Sequence, residues 1–209
     1  MTVRSLTVTI LAGISFLGAT CAAALSAAYP TPLAPAIIPD GIPTLTVTST
    51  TFQNGGTIPI PNVSKGCGGS ASNAGEAADV SPEISWSAGP AGTASYVVTM
   101  FDTDAPTGVG FWHWIVYNVP PSVTSLALNA TKNMPAGAIQ GFGDAGVSAY
   151  HGPCPPVGDK PHHYYITVSA MDKMYTGFGP EATGARVVFL QGKASKILAR
   201  GQLLGLYGR

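Results

Sequence analysis

The chain has 209 residues, with ten basic side chains balanced by ten acidic ones. Charged residues make up 10% of it, against about a quarter in an average domain, while 45% is hydrophobic and glycine and proline are abundant (26 and 18). Zero net charge excludes the basic field that nucleic-acid binding needs. The hydrophobic content excludes a chain too polar to fold, and the glycines and prolines predict a packed domain of many short strands and turns.

Residues 1–28 read as a secretory signal. Arg4 supplies the charged start, Leu6 to Leu17 the apolar run, and Ala22–Ala24 and Ser26–Ala28 the small residues before cleavage. The run is too short and too rich in Ala and Thr for a membrane anchor. Gly18-Ala-Thr-Cys21 lacks the large aliphatic residue of a lipoprotein signal. An exported protein, periplasmic or secreted, is therefore expected, with no transmembrane segment in the mature chain. Residues 29–43 carry Pro30, Pro32, Pro35, Pro39 and Pro43 and read as an extended linker. One domain is expected over 44–209. Cleavage leaves two cysteines, Cys67 and Cys154, and two cysteines in an exported chain predict a disulfide. Closing so long a loop contributes on the order of 4 kcal/mol in the chain-entropy picture.

Within the domain, Thr44–Thr51 alternates apolar and hydroxyl residues and predicts a first strand, and Gln53–Gly56 a turn. Asn62–Asp79 is small, polar and Gly-rich, a loop without the following helix that a phosphate-cradling loop requires. Glu83–Ser87 predicts a strand. Ser95–Phe101 is apolar on both faces and predicts a central one. Phe111–Val119 follows, with period two setting Trp112, Trp114 and Val116 on one side and His113, Ile115 and Tyr117 on the other. Ser122–Asn129 reads as a weak strand, Ala136–Ala149 as a long loop, His163–Met171 as a strong strand and Arg186–Leu190 as a short one. Gly192–Leu204, with Ala194, Ile197, Leu198 and Gly201 at helical spacing, is the one helix candidate. The fold class expected is all-β dominated: antiparallel sheets and a C-terminal helix.

Two stretches gather the scarce ionisable groups. One is Asp102-Thr-Asp104-Ala-Pro106 with Trp112-His113-Trp114; the other is Tyr150-His-Gly152-Pro153-Cys154-Pro-Pro156 with His162-His-Tyr164. Taken singly, each has an ordinary structural reading: an Asp-capped turn, a core histidine, a rigid proline turn. Carboxylates and imidazoles also serve as metal ligands, but no HExxH-like spacing is present. They also serve acid–base or nucleophilic catalysis, but no Gly-x-Ser-x-Gly elbow exists, and neither Ser81 nor Ser148 is set as a nucleophile. The remaining chemistry is a non-enzymatic pocket without metal or cofactor. There imidazole N–H, tyrosine O–H and backbone N–H groups take an anionic oxygen, and the Asp residues orient them or accept from a ligand ammonium.

Ser81-Pro82-x-x-x-Trp86, Asp102-x-Asp-Ala-Pro106, His113-Trp114 with Asn118-x-Pro120, Tyr150-x-Gly-Pro-Cys-Pro-Pro156 and His162-x-Tyr164 occur in this order. In them the chain resembles the phosphatidylethanolamine-binding protein family, in its bacterial branch of Raf-kinase-inhibitor-like proteins. The segment Ile197–Arg209 resembles that branch's C-terminal helix. The resemblance runs from about Thr44 to the end. It implies antiparallel sheets packed on each other, with a C-terminal helix near the pocket. It also implies that Asp102, His113, His162 and Tyr164 line a small anion site whose rim is shaped by Asp104, Pro106 and the Gly152–Pro156 turn. The ligand implied is a small phosphorylated or zwitterionic group such as phosphorylethanolamine; the alternative is a protein partner, such as a secreted protease held through the loops. A cytoplasmic kinase is out of reach of an exported chain. Three departures stand out: the long Asn62–Val80 loop, Thr103 where the family has proline, and His163 where the branch often has arginine.

Overall fold

The first strands are short: β1 (Val47–Thr48), β2 (Gly56–Thr57) and β3 (Ile84–Trp86). The next two, β4 (Ser95–Asp102) and β5 (Phe111–Val119), are long and form where β-branched and aromatic residues are densest. Two short strands follow, β6 (Ser125–Leu126) and β7 (Ile139–Gln140), then the long β8 (His162–Met171). One helix, α1 (Gly184–Lys193), precedes the last strand, β9 (Ile197–Tyr207). This computed structural model describes residues 41–67 and 76–209; the leader, residues 29–40 of the linker and residues 68–75 lie outside them.

The strands form two sheets. Six lie in the order β2-β9-β8-β4-β5-β7, and β1-β3-β6 make a smaller one. All pairings are antiparallel except β2 with β9. Between the sheets sits the main core, where Val47, Ile84, Trp86 and Leu126 of the small sheet meet Val98, Met100, Trp114, Ile166 and Leu203 of the large one. The other face of the large sheet is covered by α1, whose Val187 packs with Val97, Ile115, Tyr117 and Met171. The expected architecture of packed antiparallel sheets with one helix toward the C-terminus is the one observed.

Three local expectations are corrected. The helix is not at Gly192–Leu204 but at Gly184–Lys193, across the Arg186–Leu190 stretch read as a strand. Thr183 caps it, its hydroxyl accepting from the Arg186 N–H at 3.3 Å. Gly184 is required because a Cβ there would lie 2.4 Å from the Trp112 ring. Ile197–Tyr207 is instead a strand whose core side carries Ala199, Leu203 and Tyr207. Gly201 on that strand lets the Leu45 backbone cross it, since a Cβ would sit 2.0 Å from the Leu45 carbonyl oxygen. The small residues that imitated helical spacing mark a close strand crossing.

The third correction concerns β5. Met100 pairs with Trp114 but Phe101 with Trp112, so His113 is an extra residue, a β-bulge. The bulge sends Trp112 to the helix-side cluster while Trp114 stays in the main core. Strict alternation had put both on one side. A second irregularity lies between the pairs Tyr96–Val119 and Val98–Val116, and there Asn118 adopts φ 57°.

Candidate functional site

The ends of three adjacent strands meet at one edge of the large sheet: the C-terminal end of β4 and the N-terminal ends of β5 and β8. Antiparallel pairing thereby brings Asp102, His113 and His162 together from distant stretches. Asp102 pairs directly with Tyr164 across the ladder and with Phe111 on the other side. The loop after β4 and the Pro-rich turn at 152–156 close over these ends. The result is a cleft of about 210 Å³ lined by Asp102, Pro106, His113, Cys154 and His162.

Asp102 and His162 are both buried, and His162 Nδ1–H donates to Asp102 Oδ2 at 2.7 Å. The other oxygen of Asp102 accepts the Asp104 N–H at 2.8 Å, which sets the turn. Burial pushes the Asp102 carboxyl above its ordinary range, against the pull of His162. His162 Nε2 lies 3.4 Å from Asp159 Oδ2, so a carboxylate faces each ring nitrogen.

His113 is held differently. Its Nδ1–H donates to the His151 carbonyl at 2.8 Å, and its own carbonyl accepts the His151 N–H at 3.0 Å. Complete burial lowers its pKa to about 4, with the His151 carbonyl pulling the other way. The ring is therefore neutral at pH 7. Tyr164 stands edge-on to it, ring centroids 5.2 Å apart, and stacks on His162 at 6.3 Å. Tyr164, expected to line the cleft, lies fully buried behind the lining; its hydroxyl makes no hydrogen bond of normal length, and the nearest acceptor chemistry is the Asp102 carboxylate. Burial and the nearby Asp102 charge hold that hydroxyl protonated far past its usual range. Among the described residues Trp86 Nε1 and Asn129 Oδ1 are likewise buried without a partner; of the three, Tyr164 packs its ring against two histidines that line the cleft.

The remaining sequence-predicted residues are near the cleft without lining it. Asp104 turns away and accepts both the backbone N–H and the Nδ1–H of His163, at 2.7 and 2.8 Å. His163 thus serves the turn that lacks the family's proline. Gly152 and Pro153 shape the wall from behind. A Cβ on Gly152 would lie 2.3 Å from the Asn62 carbonyl oxygen, so only glycine fits. The Pro153 carbonyl accepts the Ser64 N–H at 3.1 Å. A disulfide joins Cys67 to Cys154, 87 positions apart in sequence, with Cα atoms 5.3 Å apart.

Sequence reasoning passed over His151, Phe111 and Asp79. His151 lines the cleft and lies parallel to His113 with ring centroids 6.2 Å apart. Asp79 accepts the Lys65 and Gly152 N–H groups at 2.9 and 2.7 Å, tying the long loop to the Pro-rich turn. Ser64, His151 and Asp79 stand in the order of a nucleophilic triad, at 3.3 and 3.7 Å. Ser64 is buried and outside the cleft lining, and the 3.7 Å between His151 and Asp79 is longer than a hydrogen bond. Among the described residues, no group of three His, Cys, Asp or Glu side chains is arranged to hold a metal ion. No described helix is long and apolar enough to cross a membrane.

The family model for phosphatidylethanolamine-binding protein matches residues 48–208. YbcL of Escherichia coli is 43% identical over 119 residues, 55% of this chain and 65% of its own, so the match spans just under two thirds of that relative. YbhB of the same organism is 38% identical over 68% of this chain and 87% of its own. The crystal structure of E. coli YbcL, described as a new member of the mammalian PEBP family, superposes with a TM-score of 0.71 at 36% identity. It covers 79% of this chain and 98% of the solved one. A homologue from Chlamydia trachomatis superposes at 0.65 with 29% identity over the same shares. With the motifs of its cleft, its two-sheet fold and this match over most of its length, the chain belongs to the phosphatidylethanolamine-binding protein family.

Proposed function

We propose that this protein is an exported, non-enzymatic binding protein whose cleft takes a phosphate-like anion, such as the phosphorylethanolamine head group. The observation that carries the reading is the cleft lined by His113, His151 and His162, with the Tyr164 hydroxyl buried beside them. An anionic oxygen that reaches that hydroxyl satisfies it and supplies the counter-charge that a protonated His113 requires. Asp102 holds the His162 ring in place. Its partner role toward a ligand ammonium fits a zwitterionic head group. The cleft is too small to enclose a drug-sized molecule, for which about 300 Å³ or more is usual. Export is supported by the N-terminal signal pattern and by the disulfide, a bond at home in oxidising compartments.

Binding is coupled to protonation. An anion beside His113 favours the charged ring, so affinity rises as pH falls from neutrality toward the value of about 4 that burial imposes. The test is a titration with phosphate and with phosphorylethanolamine, followed by NMR, beside the His113→Ala/His162→Ala double variant. Saturable shifts in the wild type that disappear in the variant are expected. Equal shifts in both, or none in either, would overturn the reading and turn attention to a protein partner on the loops.

A further inference from the structure

His162 lines the cleft, yet each of its ring nitrogens already faces a carboxylate. The Nδ1–H donates to Asp102 at 2.7 Å, a buried bond that fixes the ring. When the ring carries both protons, the Nε2–H is therefore the one donor it can offer a ligand. Asp159 Oδ2 stands 3.4 Å from that nitrogen. The two carboxylates are held very differently. The Asp102 side chain is 4% exposed and accepts a hydrogen bond at both oxygens, whereas that of Asp159 is 45% exposed. Its contact with His162 is longer than a usual hydrogen bond, so little energy keeps it there.

The backbone around Asp159 is fixed. Its N–H donates to the Pro156 carbonyl at 3.3 Å, and the Gly158 N–H before it donates to the Arg209 carbonyl at 2.9 Å. Movement is thus left to the side chain, and a second position is at hand. Asp159 also lines a neighbouring cavity of about 330 Å³, together with Thr57, Pro161 and Arg209. Arg209 donates its Nε–H to the Pro155 carbonyl at 2.6 Å, and the Nη groups of a guanidinium suit a carboxylate. Lys160 is exposed beside Asp159 but does not line this cavity.

We infer that Asp159 is a shutter on the anion site. Closed, its carboxylate occupies the His162 Nε2–H in a ligand's place; open, it turns into the neighbouring cavity toward Arg209. This rests on the anion reading of the cleft above and adds what regulates it. A phosphate-like ligand and Asp159 compete for one donor and repel each other as like charges. The apparent affinity is therefore lowered by the fraction of molecules in the closed state.

Inorganic phosphate is the probe, because it brings no ammonium to engage Asp159. It is titrated, followed by NMR, into the whole chain and into Asp159→Ala, Arg209→Gln and the double variant. Asp159→Ala is expected to bind phosphate about fivefold more tightly, the scale of a half-exposed ion pair. Arg209→Gln is expected to bind it roughly twofold more weakly, because the open position is lost, and to change nothing once residue 159 is alanine. If the two charges acted only through their field, or Arg209 only through the Pro155 turn, Arg209→Gln would weaken binding equally in both backgrounds, and that additivity would overturn the shutter. So would a wild type that binds phosphate beside an Asp159→Ala variant that binds it no better, a result that leaves the anion reading standing. Phosphate shifts in neither protein defeat both.

Discussion

Buried polar groups behave differently on the two sides of the large sheet. Toward α1, each finds its partner within the fold. Arg200 donates to Ser169 Oγ at 2.9 Å and to the Gln191 side chain. Asn118 accepts the Tyr175 N–H at 2.7 Å and donates to its carbonyl at 2.9 Å. At the cleft, the Tyr164 hydroxyl has no partner and His113 is buried without a counter-ion. The first arrangement is what stability selects, because an unsatisfied buried group costs about 1–3 kcal/mol. On the proposed reading, the second is tolerated because a ligand completes the set. Trp86 Nε1 and Asn129 Oδ1 are also unpartnered away from the cleft, so the contrast bears on function through what surrounds Tyr164 and His113 and not through the open groups alone.

The cleft end should be the more dependent on its covalent tether. Reducing Cys67–Cys154 releases a loop closed between residues 87 positions apart, and the expected loss is about 4 kcal/mol. Denaturant unfolding with and without reductant reads it, and an unchanged midpoint would remove the disulfide from the account of the wall. Next in size is acid. The pKa of His113 falls from 6.5 in the unfolded chain to about 4 in the folded one, so between these values the unfolded state binds the extra proton. Stability from this residue is full above pH 6.5 and is lost as pH falls toward 4, by about 3 kcal/mol. Asp102, with its carboxyl raised, acts in the opposite sense. The His113→Gln variant should flatten this part of the pH–stability profile, and an unaltered profile would show that another group is responsible.

On the helix side, Asn118→Ala removes two buried hydrogen bonds and places alanine at φ 57°. The expected cost is about 2 kcal/mol or more, with phosphorylethanolamine affinity unchanged. Calorimetry of unfolding and of binding on the same sample checks both halves.

Much of this was legible in the sequence. Ser95–Phe101 and His163–Met171 announced themselves by β-branched and aromatic density, and Asp102, His113, His162 and Tyr164 by their motifs. What was not legible has physical reasons. The bulge at His113 breaks period two, and nothing in Trp-His-Trp marks the extra residue. Gly201 looked like a helix position because small residues serve close strand crossing and helix packing alike. Asp79 ends a loop of small polar residues, and its role appears only when the Gly152 N–H is brought to it by folding. His151 was the nearest miss. It stands between Tyr150 and Gly152 in a motif already noticed, and an ionisable group in a proline-locked turn was signal enough.

The smallest expected change in stability carries the most information. Tyr164→Phe removes only the unpartnered hydroxyl, so its unfolding midpoint should stay at or slightly above that of the wild type. Phosphorylethanolamine affinity should fall about tenfold, the loss of one charge-assisted hydrogen bond. Retained stability with weakened binding is the predicted result. Lost stability with unchanged binding would contradict it, placing this hydroxyl among the groups that hold the fold.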